Sequence, residues 1–217
     1  NYLNTWISIM PNTFHTPFGP LLMQSQLSDT TFTILVKQSR SVRYNLNNDF
    51  RSHLAGNLEE EYGLDFSSSE KSIVHNELIS IAKEYMKEAK RQKRIKKFGR
   101  PKVNDIQIVE PIWVNYMKAG EWNPSHFHAG VISCIIYLKV PNEIQIENKV
   151  SESSKMSNQP SAGKIQWTYG ENIHFSGTFF NQIPKEGDIW LFPADLKHFV
   201  YPFKSDVERI SISCNFK

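Results

Sequence analysis

Cysteine is scarce in this chain: two in 217 residues, Cys134 and Cys214, too few for a disulfide framework. Each lies in an apolar run of the kind that makes a strand, so the pair reads as two buried thiols. Long apolar runs are missing as well. The longest, residues 131–138, falls far short of the roughly 20 residues that a membrane-spanning helix needs. The first residues show no basic stretch leading into an apolar one. With 40% of positions apolar and 22% charged, the composition excludes fibrous, collagenous and wholly disordered chains. It describes one domain over 1–217, soluble and cytoplasmic. No internal repeat is visible.

The formal charge of +3 conceals an asymmetry. Residues 87–102 hold nine Lys or Arg and one Glu, a local +8 that leaves a net −5 for the rest of the chain. The segment reads first as a solvated helix end and linker, because cations there complement the negative end of a helix dipole. Gripping nucleic acid or an acidic partner is its less favoured use.

Residues 28–40 place Phe32, Leu35 and Val36 at helical spacing behind polar residues able to cap, which predicts a helix. Residues 45–66 lack clear periodicity and read as loop with short turns. From Ser67 the pattern is strong. Ser67 and Glu70 have capping-box spacing, and Val74, Leu78, Ile81, Ala82, Tyr85 and Ala89 form one apolar stripe on a helix of about six turns. After Pro101 the texture changes to short β-rich runs at 106–109, 112–117, 131–140, 164–169, 188–192 and 209–216, punctuated by Gly and Pro. The class is α+β, mainly β. Residues 1–103 are expected to supply helical support ending in the basic segment, and residues 104–217 a strand-rich core. Within the core, 142–162 is polar and Ser-rich and reads as a long surface loop, a candidate lid.

Of seven histidines, one pair has a spacing that chemistry can use directly. In an extended segment His126 and His128 point the same way and can converge on one ion, while Phe127 faces the opposite side. Spacing alone leaves two partly exposed histidines near a turn as an equal alternative. His198 follows a strand end and a Pro-containing turn, where an imidazole is placed to line a barrel mouth. Asp195 lies three residues away, better suited to a turn than to a metal. In 209–216 the residues Arg209, Ser211, Ser213 and Asn215 share one face. An Arg and a Ser facing a core are costly unless they bind something, and an Arg fork beside a hydroxyl suits a carboxylate. An edge strand with its polar face in water is the plainer alternative.

The order of these features resembles a family. The run Tyr116-x-x-x-Gly120-x-Trp122-x-x-x-His126-x-His128, then Ile136-Tyr137-Leu138, Gly187-Asp188-x-x-x-Phe192-Pro193, His198 and Arg209-x-Ser211 resembles the Fe(II)- and 2-oxoglutarate-dependent oxygenases. The likeness is to the compact branch frequent in bacteria and phages, and it spans about residues 106–216. It implies a double-stranded β-helix, a cupin-like jelly-roll barrel backed by N-terminal helices. It also implies that His126 and His198 ligate iron and that Arg209, with Ser211, pairs with the distal carboxylate of 2-oxoglutarate. Position 128 departs from the pattern, since a His stands where the family carries Asp or Glu. Imidazole is a good ligand for iron and other transition metals, and a three-histidine site leaves Fe(II) its full +2 for a dianionic co-substrate to balance. Asn115 and Tyr137 are candidates for hydrogen bonds to that co-substrate. The implied activity is a dioxygenase, a hydroxylase using Fe(II), 2-oxoglutarate and O2 on a small molecule, peptide or protein side chain.

Other classes stay open at this point. Three imidazoles also describe a cupin-type dioxygenase without 2-oxoglutarate, or a zinc hydrolase with an open fourth position. A non-enzymatic β-sandwich using residues 87–102 to bind a partner is a third. Trp113, Trp122, Phe127 and Phe199 are candidates to line a substrate pocket.

Overall fold

A computed structural model describes residues 12–15, 19–92, 102–151, 155, 157–171, 174 and 177–217. Most of the basic segment, 93–101, lies outside the described residues. Within it, Lys87 and Arg91 are paired along their own helix with Glu84 and Glu88.

Among the described residues eleven strands form two antiparallel sheets. They are β1 (Thr13–His15), β2 (Leu22–Gln26), β3 (Glu60–Gly63), β4 (Ile108–Met117), β5 (Asn123–His126), β6 (Ile132–Lys139), β7 (Ile165–Thr168), β8 (Phe179–Gln182), β9 (Asp188–Pro193), β10 (His198–Val200) and β11 (Arg209–Phe216). The larger sheet runs β1-β2-β9-β6-β11-β4-β3 and the smaller β5-β10-β7-β8. Among the described residues no strand pairing joins the two into a closed barrel, so the expected barrel is observed as two sheets sharing a core.

Alternation along each strand of the larger sheet builds two different cores. On its outer face Val114, Ile136, Leu191, Ile212 and Cys214 pack under two helices, α1 (Asp29–Val42) and α2 (Ser68–Arg91). The helices form where the sequence predicts them. The Ser67–Glu70 capping box opens α2, whose Val74, Leu78, Ala82, Tyr85 and Ala89 are buried. Fully burying each large apolar side chain is worth about 1.5–3 kcal/mol, which is what holds the helices to the sheet. Cys134 and Cys214, opposite one another on β6 and β11, are free and buried in this layer. On the inner face Met117, Ile135, Tyr137, Trp190 and Phe192 meet Ile165, Trp167 and Val200 of the smaller sheet.

Three expectations are corrected. The first hundred residues are not purely helical support, because β1, β2 and β3 join the larger sheet at both edges. Their sequences TFH, LMQSQ and EEYG carry little strand signal, and it is pairing of β2 with β9, of β1 with β2 and of β3 with β4 that makes them extended. Residues 45–66 accordingly contain β3 as well as short 3-10 turns. Residues 142–162 are not a continuous loop, since Asn142–Val150 is a helix, α3. Pro141 precedes it, Glu143 and Lys149 complement its dipole, and Ile144 is buried in the inner core. Glu147 of α3 also accepts the backbone N–H groups of Lys204 and Ser205 at 3.0 and 2.9 Å. The helix is thus anchored both at a core residue and at a turn.

Candidate metal and anion site

The inner face opens into a cleft between the sheets, and the candidate histidines converge there. His126 and His198 are direct cross-strand partners on β5 and β10, so their side chains leave the same face. His128 lies just past β5, where its backbone N–H donates to Ala194 O at 2.8 Å. Ring centroids are 4.4 Å apart for His126 and His198, 4.9 Å for His126 and His128, and 5.1 Å for His128 and His198. One nitrogen from each ring lies within 4.8 Å of the other two, a set that could hold a metal ion. Phe127 between them is 65% exposed, on the opposite side as alternation requires.

Hydrogen bonding sets the tautomers of two of the rings. Backbone carbonyls can only accept, so Nδ1–H of His126 donates to Pro124 O at 2.6 Å and Nδ1–H of His198 to Leu196 O at 2.9 Å. Nε2 of each is left as an unprotonated ligand atom. Burial, reinforced by the neighbouring imidazoles, holds His128 neutral down to about pH 4 and His198 to about pH 3, and burial lowers His126 too. Three neutral, converging imidazoles are what a divalent transition metal requires. Asp195 is exposed on a turn and is not part of the cluster.

The second group sits on the larger sheet. Register places Asn115, Ser211 and Tyr137 in one cross-strand row on the inner face, Ser211 being opposite both of the others. Arg209, one inward position along β11, is only 2% exposed. Its Nη1 donates to Gly163 O at 2.9 Å and its Nη2 contacts Met117 Sδ at 2.9 Å. Arg209 Nε and the Tyr137 hydroxyl have no hydrogen-bond partner. Among the described residues no carboxylate pairs with Arg209, and burial pushes its pKa down. A buried guanidinium with spare donors and no counter-charge is costly, and an anion that joins it offsets that cost. Gly163 is held at φ +63° beneath Ile144, where a Cβ would come within 2.6 Å of that side chain, so α3 helps fix the carbonyl that orients Arg209.

Trp113 lines the cleft with its ring 5.9 Å from His128. Trp122 is exposed, and Phe199 packs on Tyr201 rather than into the cleft. Sequence reasoning missed Glu61, a buried carboxylate in the cleft wall. It stands on β3, where the local sequence gave no strand signal.

Residues 111–215 match the model of the family described as "Putative 2OG-Fe(II) oxygenase". Over this segment, just under half of the chain, the sequence is similar to the 2OG-Fe(II) oxygenases. The matched family is one that uses Fe(II), 2-oxoglutarate and O2, and the matched segment contains the three clustered histidines and Arg209. Solved structures share the fold at low identity. A Pseudomonas putida prolyl-4-hydroxylase is 14% identical with a TM-score of 0.51, covering 90% of this chain and 92% of its own. A Trichoplax adhaerens prolyl hydroxylase, solved with a hypoxia inducible factor peptide fragment, is 12% identical with a TM-score of 0.52, covering 91% and 83%. Among curated proteins none matches the sequence. No helix among the described residues is long and apolar enough to cross a membrane.

The depressed histidines make a prediction for the metal-free protein. Their folded pKa values lie below the unfolded value of about 6.5, so the unfolded chain takes up protons first as pH falls. Stability contributed by the neutral form is complete above pH 6.5 and is lost progressively below it. Glu61, raised to about 7 by burial, acts in the opposite sense between its unfolded value and pH 7. His128 and His198 outnumber it, so between pH 6.5 and 4.5 unfolding free energy is expected to fall by roughly 2 kcal/mol in all, most steeply at the acid end. Denaturant unfolding across pH 4.5–8 measures this, and a flat profile from pH 7 to 5 contradicts neutral buried imidazoles.

Proposed function

We propose that this protein is a 2-oxoglutarate-dependent oxygenase, a hydroxylase in which His126, His128 and His198 hold Fe(II) and Arg209 binds the distal carboxylate of 2-oxoglutarate. Ser211, Asn115 and the Tyr137 hydroxyl supply further hydrogen bonds to the co-substrate. The observation that carries the reading is Arg209. It is a buried cation with an unpartnered Nε, beside an unpartnered phenol, in the wall of the cleft that holds three neutral imidazoles. Both halves of the site therefore fit the groups the family uses. The donor set suits a divalent metal, and the orphaned donors suit a carboxylate.

When bound, the iron and its co-substrate supply the oxidative chemistry that places one oxygen atom of O2 in a substrate C–H bond while 2-oxoglutarate becomes succinate and CO2. The chain's own part is positioning. The carbonyls of Pro124 and Leu196 keep the His126 and His198 rings oriented with Nε2 free. Gly163 and Met117 hold the guanidinium in place, so it needs little reorganisation to receive an anion. Trp113 and Phe192 make apolar walls beside the histidines that limit water at the reacting centre. A three-histidine zinc hydrolase would share the imidazoles, but metal-bound hydroxide has no use for a buried guanidinium, which favours the 2-oxoglutarate reading.

Protein reconstituted with one equivalent of Fe(II) is expected to convert 2-oxoglutarate to succinate slowly and only with O2 present, even without a primary substrate. Failure both to bind stoichiometric Fe(II) and to form succinate contradicts the proposal.

A further inference from the structure

Two adjacent glutamates on β3 face opposite ways and meet opposite fates. Glu60 points to the outer face, where Arg43 and Lys118 both pair with it at 2.8 Å, and its pKa is lowered, chiefly by the Arg43 hydrogen bond. Glu61 points inward and is 2% exposed, yet its Oε1 has no hydrogen-bond partner. The charged groups around it do not neutralise it. Glu121 repels it, and the nearby Arg51 is engaged by Asp49 at 2.6 Å. Burial and Glu121 together push the Glu61 carboxyl up to about 7. A buried carboxylate with a free oxygen and no cation is costly in a folded chain unless a ligand completes it.

Its position says what kind of ligand. Glu61 lies opposite Asn115, which lies opposite Ser211, so it belongs to the same inner-face row as the proposed 2-oxoglutarate residues. It is two strands from β11, roughly 10 Å at the usual strand spacing. It lines the same cleft as the three histidines. The cleft is thus charged at two separated points: a guanidinium that suits the co-substrate, and a carboxylate at the far end that the co-substrate, itself an anion, cannot satisfy.

We propose that Glu61 is the specificity-determining residue of this cleft, and that the substrate class is one carrying a cationic N–H donor, an ammonium or guanidinium group, seated against its carboxylate. The inference rests on the oxygenase reading, because it is that reading which assigns the opposite end of the cleft to 2-oxoglutarate. A cation at Glu61 would leave its C–H groups between that carboxylate and the histidines.

The test uses full-length protein with Fe(II) and 2-oxoglutarate under anaerobic conditions. The probes are the N-acetyl methylamides of lysine and arginine, with those of norleucine and citrulline as neutral counterparts, and binding is read by calorimetry. The wild type is expected to bind the cationic probes at least about tenfold more tightly than the neutral ones, since a charge-assisted pair exceeds a neutral contact by that order. Glu61→Gln, which keeps the shape, is expected to bring the two within about twofold, and Glu61→Asp to retain part of the preference. Absence of cation preference in the wild type, including absence of binding by any probe, overturns the proposal. So does full preference in Glu61→Gln. Should that variant fail to fold, unchanged preference in Glu61→Asp overturns it instead. The charge-transfer band of the Fe(II)–2-oxoglutarate complex, recorded before probe is added, reports separately. A band without cation preference removes only the Glu61 inference, and cation preference without a band removes the oxygenase reading.

Discussion

Replacing His198 by alanine is expected to lower Fe(II) affinity by more than about 100-fold and to abolish 2-oxoglutarate turnover. His198 is the most buried of the three imidazoles, 5% exposed, fixed by Leu196 O and held directly opposite His126 by strand pairing. Losing an outer hydrogen bond at a metal site typically costs about 10–100-fold, and losing a ligand costs more. The same variant is not expected to unfold. The imidazole ring packs against Phe192 at 4.8 Å, and truncation leaves a small cavity next to an open cleft rather than a sealed void. Position 128 refines the test. His128→Ala is expected to weaken the metal similarly, whereas His128→Asp supplies a carboxylate ligand and retains it. His128→Asp also makes the ligand set one unit more negative, so its 2-oxoglutarate affinity is expected to fall below the wild type's. Equilibrium dialysis with Fe(II) and anaerobic 2-oxoglutarate titration read the two effects apart. Undiminished Fe(II) binding by both His198→Ala and His128→Ala would remove the histidines from the metal site.

Arg209→Met is expected to separate function from stability. Affinity for 2-oxoglutarate should drop by roughly 100-fold, because truncating one partner of a buried charge pair costs about 2–5 kcal/mol. Fe(II) affinity should be little changed, since Arg209 stands on the other sheet from the ligands. The co-substrate-free variant should be at least as stable as wild type. Wild type carries a buried cation with an unpartnered Nε, and replacing such a charge with an apolar side chain of similar reach is often neutral or stabilising by about 1–4 kcal/mol. The loss of the Gly163 hydrogen bond offsets part of this. A rise in Tm of a few degrees together with lost 2-oxoglutarate binding is the expected signature. A purely structural arginine would give the reverse, a lowered Tm with unchanged co-substrate affinity.

Much of the core and its polar stripe is legible in the sequence because alternation decides it. In 209–216 the alternation of Arg, Ser, Ser and Asn with Ile, Ile, Cys and Phe separates the cleft face from the helix-covered face, and the structure follows it residue by residue. The α2 stripe and capping box are likewise local signals with local causes. The His-x-His pair is local too, and its convergence with His198 follows from a strand pairing that the order of motifs suggests. What the sequence does not display is decided elsewhere. β2 and β3 are extended because β9 and β4 offer them unpaired edges, and β1 because β2 then offers its own, not because TFH, LMQSQ or EEYG prefers to be a strand. Glu61 was invisible for the same reason, since an acidic residue in a polar stretch reads as surface until pairing turns it inward. Helix α3 was hidden by the polar, Ser-rich residues that follow it. Ile144 gains its buried position from inner-core residues such as Phe203 and Trp190 that are remote in the chain.

The most direct test of the central claim is an anaerobic titration of the purified protein with Fe(II) and then 2-oxoglutarate, followed in the visible range. The account requires a metal-to-ligand charge-transfer band that saturates at one Fe(II) and one 2-oxoglutarate per chain, persists in a surface variant such as Lys37→Ala, and vanishes in His198→Ala and Arg209→Met. Saturable Fe(II) binding with no band on adding 2-oxoglutarate, or an undiminished band in Arg209→Met, would contradict it.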